Sequence, residues 1–147
     1  MASIQKHVTR ELVALDGAVP CSEAARVMAV QNIGSVGVRD GGRVVGIVTE
    51  RDLVTRVLAD GAPVDLAIRD AMRTDLPIVP PGTTEEECVA LMRDHRTRHL
   101  LVGEAGEPIG VISMRDLIRL MLEEKEWLIG QLQNFIDGRD GPRAVAS

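Results

Sequence analysis

At 147 residues, with 45% apolar and 27% charged side chains, the chain holds one compact domain or two small halves sharing a core. Its formal net charge of -5 weighs against nucleic-acid binding, although Arg96, Arg98 and His99 make a local basic cluster. The 1% aromatic content is confined to Trp127 and Phe135, which excludes an aromatic core and leaves an aliphatic one.

Leu12 to Leu15 reads as a short strand, and Ser22 to Asn32 carries helical apolar spacing through Ala24, Val27, Met28 and Ile33. Val36 and Val38 alternate as a strand, and Asp40-Gly41-Gly42 supplies a hairpin turn. The β-branched run from Val44 to Val48 predicts a strand buried on both faces. A second helix is expected from Glu50 to Ala59, stopped by Gly61 with Pro63 beyond it. Residues 62–72 read as a linker with a short helix. A strand near Ile78 comes next, then a helix from Thr84 to Asp94 that Thr84-Glu85-Glu86-Glu87 opens as a capping box. The acidic run there complements the helix dipole better than it serves a metal. A strand from His99 to Val102, a turn at Ala105-Gly106, a strand from Ile109 to Ile112 and a helix from Met114 complete the order. Ile118, Met121, Leu122, Leu128, Leu132 and Phe135 continue that helix as an amphipathic one, with a break expected near Gly130 and an end at Asp137-Gly138. The small, polar residues 139–147 are expected to be disordered.

The order repeats because the sequence does. Gly46-Ile-Val-Thr-Glu-Arg-Asp-Leu53 aligns with Gly110-Val-Ile-Ser-Met-Arg-Asp-Leu117 at an offset of 64. The same gapless offset pairs Ile4 with Ile68, Leu12 with Leu76, Glu23 with Glu87, Met28 with Met92, Val38 with Val102 and Gly42 with Gly106. The fold class is therefore α/β (α+β), a β-α-β-β-α unit used twice about a pseudo-twofold axis. The first motif spans 1–61 and the second, with its linker, 62–122. A C-terminal helix extension (123–138) and the tail (139–147) follow.

That order, with Gly, two apolar residues, [ST]-x-x-D at the end of the last strand, resembles the cystathionine-β-synthase (CBS) domain family over residues 3–122. Asn32-Ile33-Gly34-Ser35-Val36 and Arg98-His99-Leu100-Leu101-Val102 agree with it. The resemblance implies a Bateman module, with up to two clefts that take AMP, ATP, NAD or S-adenosylmethionine. Thr49 and Ser113 stand where a strand passes into a helix, so a hydroxyl and helix N–H groups are available to a phosphate. Asp52 and Asp116 are placed to accept a ribose diol, and Arg51 and Arg115 to neutralise phosphate. Arg98 and His99 match family positions that touch phosphate. Ala14, Val36, Ile47, Ile78, Leu100 and Val111 are the apolar candidates for holding adenine.

Gly37 and Leu101 stand where many family members have proline, and copy one has Gly34-Ser35 where copy two has Arg98-His99, so the clefts are not equivalent. The cleft using Arg98, Ser113, Arg115 and Asp116 is expected to favour phosphate, with Asp116→Ala weakening binding more than Asp52→Ala. No Ser/His/Asp set, metal cluster or P-loop suggests an enzyme. His7 and His95 read as surface residues, and Cys21 and Cys88 as reduced core thiols. The N-terminus has no apolar leader, and no run approaches the roughly 18 apolar residues that span a bilayer, so a soluble, cytoplasmic protein without membrane partners is expected. The expected function is an adenine-nucleotide sensor acting, as a homodimer, on an unidentified effector protein. The alternative is an interaction dimer with vestigial clefts.

Overall fold

The computed structural model describes residues 12–138, so the readings of His7 and of 139–147 lie outside it. Each copy begins with a short strand, β1 (Ala14–Asp16) or β4 (Ile78–Val79), followed by a helix, α1 (Cys21–Gln31) or α3 (Glu85–Asp94). The helix returns the chain to a hairpin, β2 (Ser35–Asp40) with β3 (Arg43–Thr49), or β5 (His99–Glu104) with β6 (Glu107–Ser113). The two sheets run β1-β2-β3 and β4-β5-β6, the first pair parallel and the second antiparallel in each. The offset of the sequence repeat carries into the register. Ser35 pairs with Thr49 as His99 pairs with Ser113, and a bulge follows Val38 as one follows Val102. Both hairpin turns need left-handed backbone: Gly41 and Gly42 lie at φ 59° and 83°, Ala105 and Gly106 at 52° and 78°.

After the first hairpin, α2 (Glu50–Asp52) continues without a break into a wider π-helix, Leu53–Leu58. The expected helix is present, but with i→i+5 bonds: the Ala59 N–H donates to Val54 O at 2.8 Å and the Ala62 N–H to Val57 O at 2.9 Å. The widening leaves Val57 buried in the first core while Val54 and Leu58 stay exposed. The linker makes a single 3-10 turn, Ile68–Asp70. The last helix, α4 (Met114–Ile136), runs through Gly130 unbroken, against the sequence expectation. One glycine costs about 1 kcal/mol relative to alanine, too little to break a helix of this length. Among the described residues, no helix is long and apolar enough to cross a membrane.

Strand alternation sorts the side chains into three cores. Val36, Val38 and Val48 turn toward α1, with Met28 and Ile68. Leu100, Val102 and Ile112 turn toward α3, with Cys88, Met92 and Leu117. On the opposite faces, Ile47 and Leu101 meet with Leu76, and Ile78 and Val111 pack beside them. This third core draws on both sheets, so the two copies share it. The expectation that β3 is buried on both faces holds only for its second half. Gly46 to Thr49 are buried, while Val45 is 40% exposed because it lies at the hairpin end, away from the helices.

Candidate functional site

Both motifs form reciprocal helix caps. Thr49 precedes α2 in extended backbone; its hydroxyl accepts the Asp52 N–H at 3.2 Å, and its own N–H donates to Asp52 Oδ2 at 2.9 Å. Its O–H also donates to Asp52 Oδ2 at 3.0 Å. Ser113 repeats the arrangement at the head of α4, with the Asp116 N–H donating to Oγ at 3.1 Å and the Ser113 N–H to Asp116 Oδ2 at 3.2 Å. Each carboxylate has a basic neighbour one turn on, Arg56 at 3.9 Å from Asp52 and Arg119 at 3.6 Å from Asp116. The next N–H of each helix is also engaged: Glu50 donates to Gly34 O at 3.0 Å and Met114 to Arg98 O at 2.7 Å. Helix, strand end and the preceding turn are thus tied together identically in both copies.

Across the copies the pairing is crossed. Thr49, Arg51 and Asp52 of copy one face Arg96, Arg98 and His99 of copy two, around a cleft of about 540 Å³. Ser113, Arg115 and Asp116 of copy two face Asn32, Ile33 and Gly34 of copy one, around a cleft of about 590 Å³. Both volumes suit a small-molecule site. Arg98 and His99 sit on the wall between the clefts and line both. A Cβ at Gly34 would stand 2.9 Å from His99 Nε2, so the glycine makes room for the other copy's imidazole.

Eight polar or charged candidates, Thr49, Arg51, Asp52, Arg98, His99, Ser113, Arg115 and Asp116, are therefore gathered on cleft walls. The apolar candidates divide. Val36 and Leu100 are wholly buried in the helix-facing cores and present nothing to a ligand. Val36 is flanked by the small Ser35 and Gly37 and Leu100 is followed by apolar Leu101, so alternation alone does not say which face meets the helix, and the sequence reading chose the wrong one. Ile47 is wholly buried between the sheets. Ala14, Ile78 and Val111 are half-buried on that same face.

The two clefts also differ in their basic residues. Arg98 lines both clefts, and the basic residues concentrate at the Thr49 cleft, where the motif of copy one faces the turn of copy two. Arg96, Arg73 and Arg56 line this region and were not among the sequence candidates. Arg73 holds the copies together: its Nη2 donates to His95 O at 2.8 Å and its Nη1 to Arg96 O at 3.3 Å. A salt bridge at 3.1 Å to Asp75 orients it and holds the Asp75 carboxyl below its usual range. His95, read as a surface residue, is half-buried by this contact. No pattern in the sequence marks a linker arginine for that role, whereas Arg96 falls at the repeat position of Asn32 and was open to detection. Cys21 and Cys88 are buried free thiols, and burial, assisted by Glu87 and Glu85, pushes Cys88 up to about 11.

The family model of the CBS domain matches residues 3–59 and 68–123. The chain belongs to the CBS domain family. This CBS pair is 30% identical over 137 residues to an uncharacterized protein of Acidianus ambivalens, covering 92% of this chain and 82% of that one. The solved structure of an uncharacterized conserved protein from Pyrococcus horikoshii matches this CBS pair with a TM-score of 0.76 at 30% identity, over 82% of this chain and 92% of that one. A CBS domain protein of Pyrobaculum aerophilum, solved in complex with AMP, matches with a TM-score of 0.68 at 27% identity, over 78% of this chain and 89% of that one.

Proposed function

We propose that this CBS pair is a regulatory module that binds an adenosyl ligand and alters a partner protein, a sensor rather than a catalyst. The crossed pairing carries the reading. A ligand in either cleft touches the motif of one copy and the turn of the other, so binding acts on the angle between the copies. Its effect is limited to the difference in its affinity for the two arrangements. AMP, ATP and NAD are the first candidates, and S-adenosylmethionine follows; the AMP complex of the Pyrobaculum aerophilum relative supports the class. Asp52 and Asp116 are assigned to the ribose, Thr49, Arg51, Arg98, His99, Ser113 and Arg115 to phosphate, and half-buried Ala14, Ile78 and Val111 to the base.

Thermal unfolding of the full chain with AMP, ADP, ATP, NAD, S-adenosylmethionine and GTP tests this. A ligand at a hundred times its Kd adds about 2.7 kcal/mol, enough to raise Tm by several degrees. A rise with adenosyl ligands and none with GTP is the expected result. A flat response to all of them at millimolar concentration, with the protein free of carried-over nucleotide, would refute the sensor.

A second reading has its own support. In each motif the hydroxyl and carboxylate are already engaged in the helix cap, and α4 carries an exposed apolar face with Trp127, Leu128, Leu132 and Phe135. An interaction dimer with vestigial clefts, held together through α4, fits these features. Dimerisation through α4 is compatible with the sensor as well, and the ligand response separates the two readings.

A further inference from the structure

We infer that the Thr49 cleft is built for an adenine nucleotide carrying two or more phosphates, whose chain extends from Thr49 into an adjoining cavity beside Arg96. The inference rests on the adenine-nucleotide reading above and adds to it a ligand class and a residue that selects it.

Charge is the first observation. The Thr49 cleft borders a second cavity of about 370 Å³, and the two share Arg51, Asp52, Thr55, Arg73 and Arg96. Together they bring five arginines, Arg51, Arg56, Arg73, Arg96 and Arg98, against three carboxylates, Glu50, Asp52 and Asp75. In the Ser113 cleft, Arg98 and Arg115 are balanced by Glu50 and Asp116. The chain as a whole is acidic, so the surplus at the Thr49 cleft is local. Arg56 and Arg73 are engaged, with backbone carbonyls and with Asp52 and Asp75. The side chains of Arg51, Arg96 and Arg98 have no hydrogen bond or ion pair among the described residues. Guanidinium groups lining one cavity repel one another, and an anion bound among them relieves that repulsion. A single phosphate meets one such point. Cations spread over two neighbouring cavities match charge spread along a phosphate chain.

The backbone of Arg96 is the second observation, and it is independent of the first. The turn after the first helix needs a left-handed residue in both copies: Asn32 has φ 54° and Arg96 has φ 52°. The N–H after each donates five residues back, Ile33 to Met28 O at 3.0 Å and Thr97 to Met92 O at 2.9 Å. Asparagine tolerates this backbone, and arginine is disfavoured in it. Copy two thus carries an arginine against its backbone preference at the lip of the surplus-charge cavities, with Arg73 gripping its carbonyl. What the side chain meets in the cleft explains its presence there; the turn does not.

Calorimetric titration of the full chain with AMP, ADP and ATP, without divalent metal, tests the inference, using wild type and Arg96→Asn. Asparagine suits the turn, so the variant is expected to fold with an unchanged or higher Tm. Wild type should bind ATP about tenfold more tightly than AMP, the worth of one added charge-assisted hydrogen bond. Inorganic tripolyphosphate should compete with ATP. Arg96→Asn should lose most of the preference for ATP. Equal affinity for AMP and ATP in wild type would overturn the inference while leaving the sensor standing. An equal loss of AMP and ATP binding in the variant would overturn the role of Arg96. Absence of binding by every adenine nucleotide would overturn both the inference and the reading beneath it.

Discussion

Gly46 shows how closely one residue couples motif and linker. A Cβ there would stand 2.7 Å from Arg73 O and 2.8 Å from Met72 Sδ, closer than real Cβ atoms come. The next residue, Ile47, exchanges both backbone hydrogen bonds with Arg73, at 3.1 and 2.9 Å. A side chain at 46 pushes the linker off β3 and displaces Arg73 from the carbonyls of copy two. Gly46→Ala is expected to destabilise the fold by about 1–3 kcal/mol, the usual range for overpacking. The check is urea unfolding beside Gly82→Ala, where an added Cβ meets nothing and the change should be small. Equal midpoints for the two variants would show that the linker yields freely.

Among the elements, α4 combines two functions along its length. Its first turn caps the Ser113 motif, and Leu117 and Leu120 anchor it in the body. Beyond Leu122 nearly every residue is exposed, and Leu128, Leu132 and Phe135 form a stripe three to four residues apart. Such a stripe on a monomer calls for a partner. Removal of residues 123–138 is expected to leave Tm within a few degrees, because this segment adds almost nothing to the cores, and to abolish self-association. Light scattering measures the second effect. A truncated chain that remains a dimer would move the contact to another surface.

At the scale of the molecule, the copies are one unit. The third core draws Ile47 from the first sheet and Leu101 from the second, and Arg73 closes the gap between them. Separated halves would expose that apolar face, and each would have the marginal core of a domain of about 60 residues. Residues 1–61 expressed alone are expected to be unfolded or aggregated, and to recover native circular dichroism on mixing with 62–147. Cooperative unfolding of the isolated half would show that the copies are only tethered. The same closure underlies the proposed signalling, because the candidate clefts lie where each copy touches the other.

The sequence by itself determined the duplication, the element order, the turns and the two caps. These rest on interactions within a few residues, such as Thr49 with Asp52, or on a period that a single strand or helix carries. Thr49, Arg51, Asp52, Ser113, Arg115 and Asp116 of the clefts were legible for the same reason: they belong to a motif occurring twice. What only the tertiary structure decided was which surfaces face each other. Val36 and Leu100 were misassigned because both faces of their strands are buried, and only the position of the helix separates core from cleft. Arg73, in the linker, reaches the Thr49 cleft and the carbonyls of copy two over a separation at which no local hydrogen bond or periodicity leaves a trace in the chain. Gly130 stayed helical for a related reason: a local preference of about 1 kcal/mol yields to the helix around it.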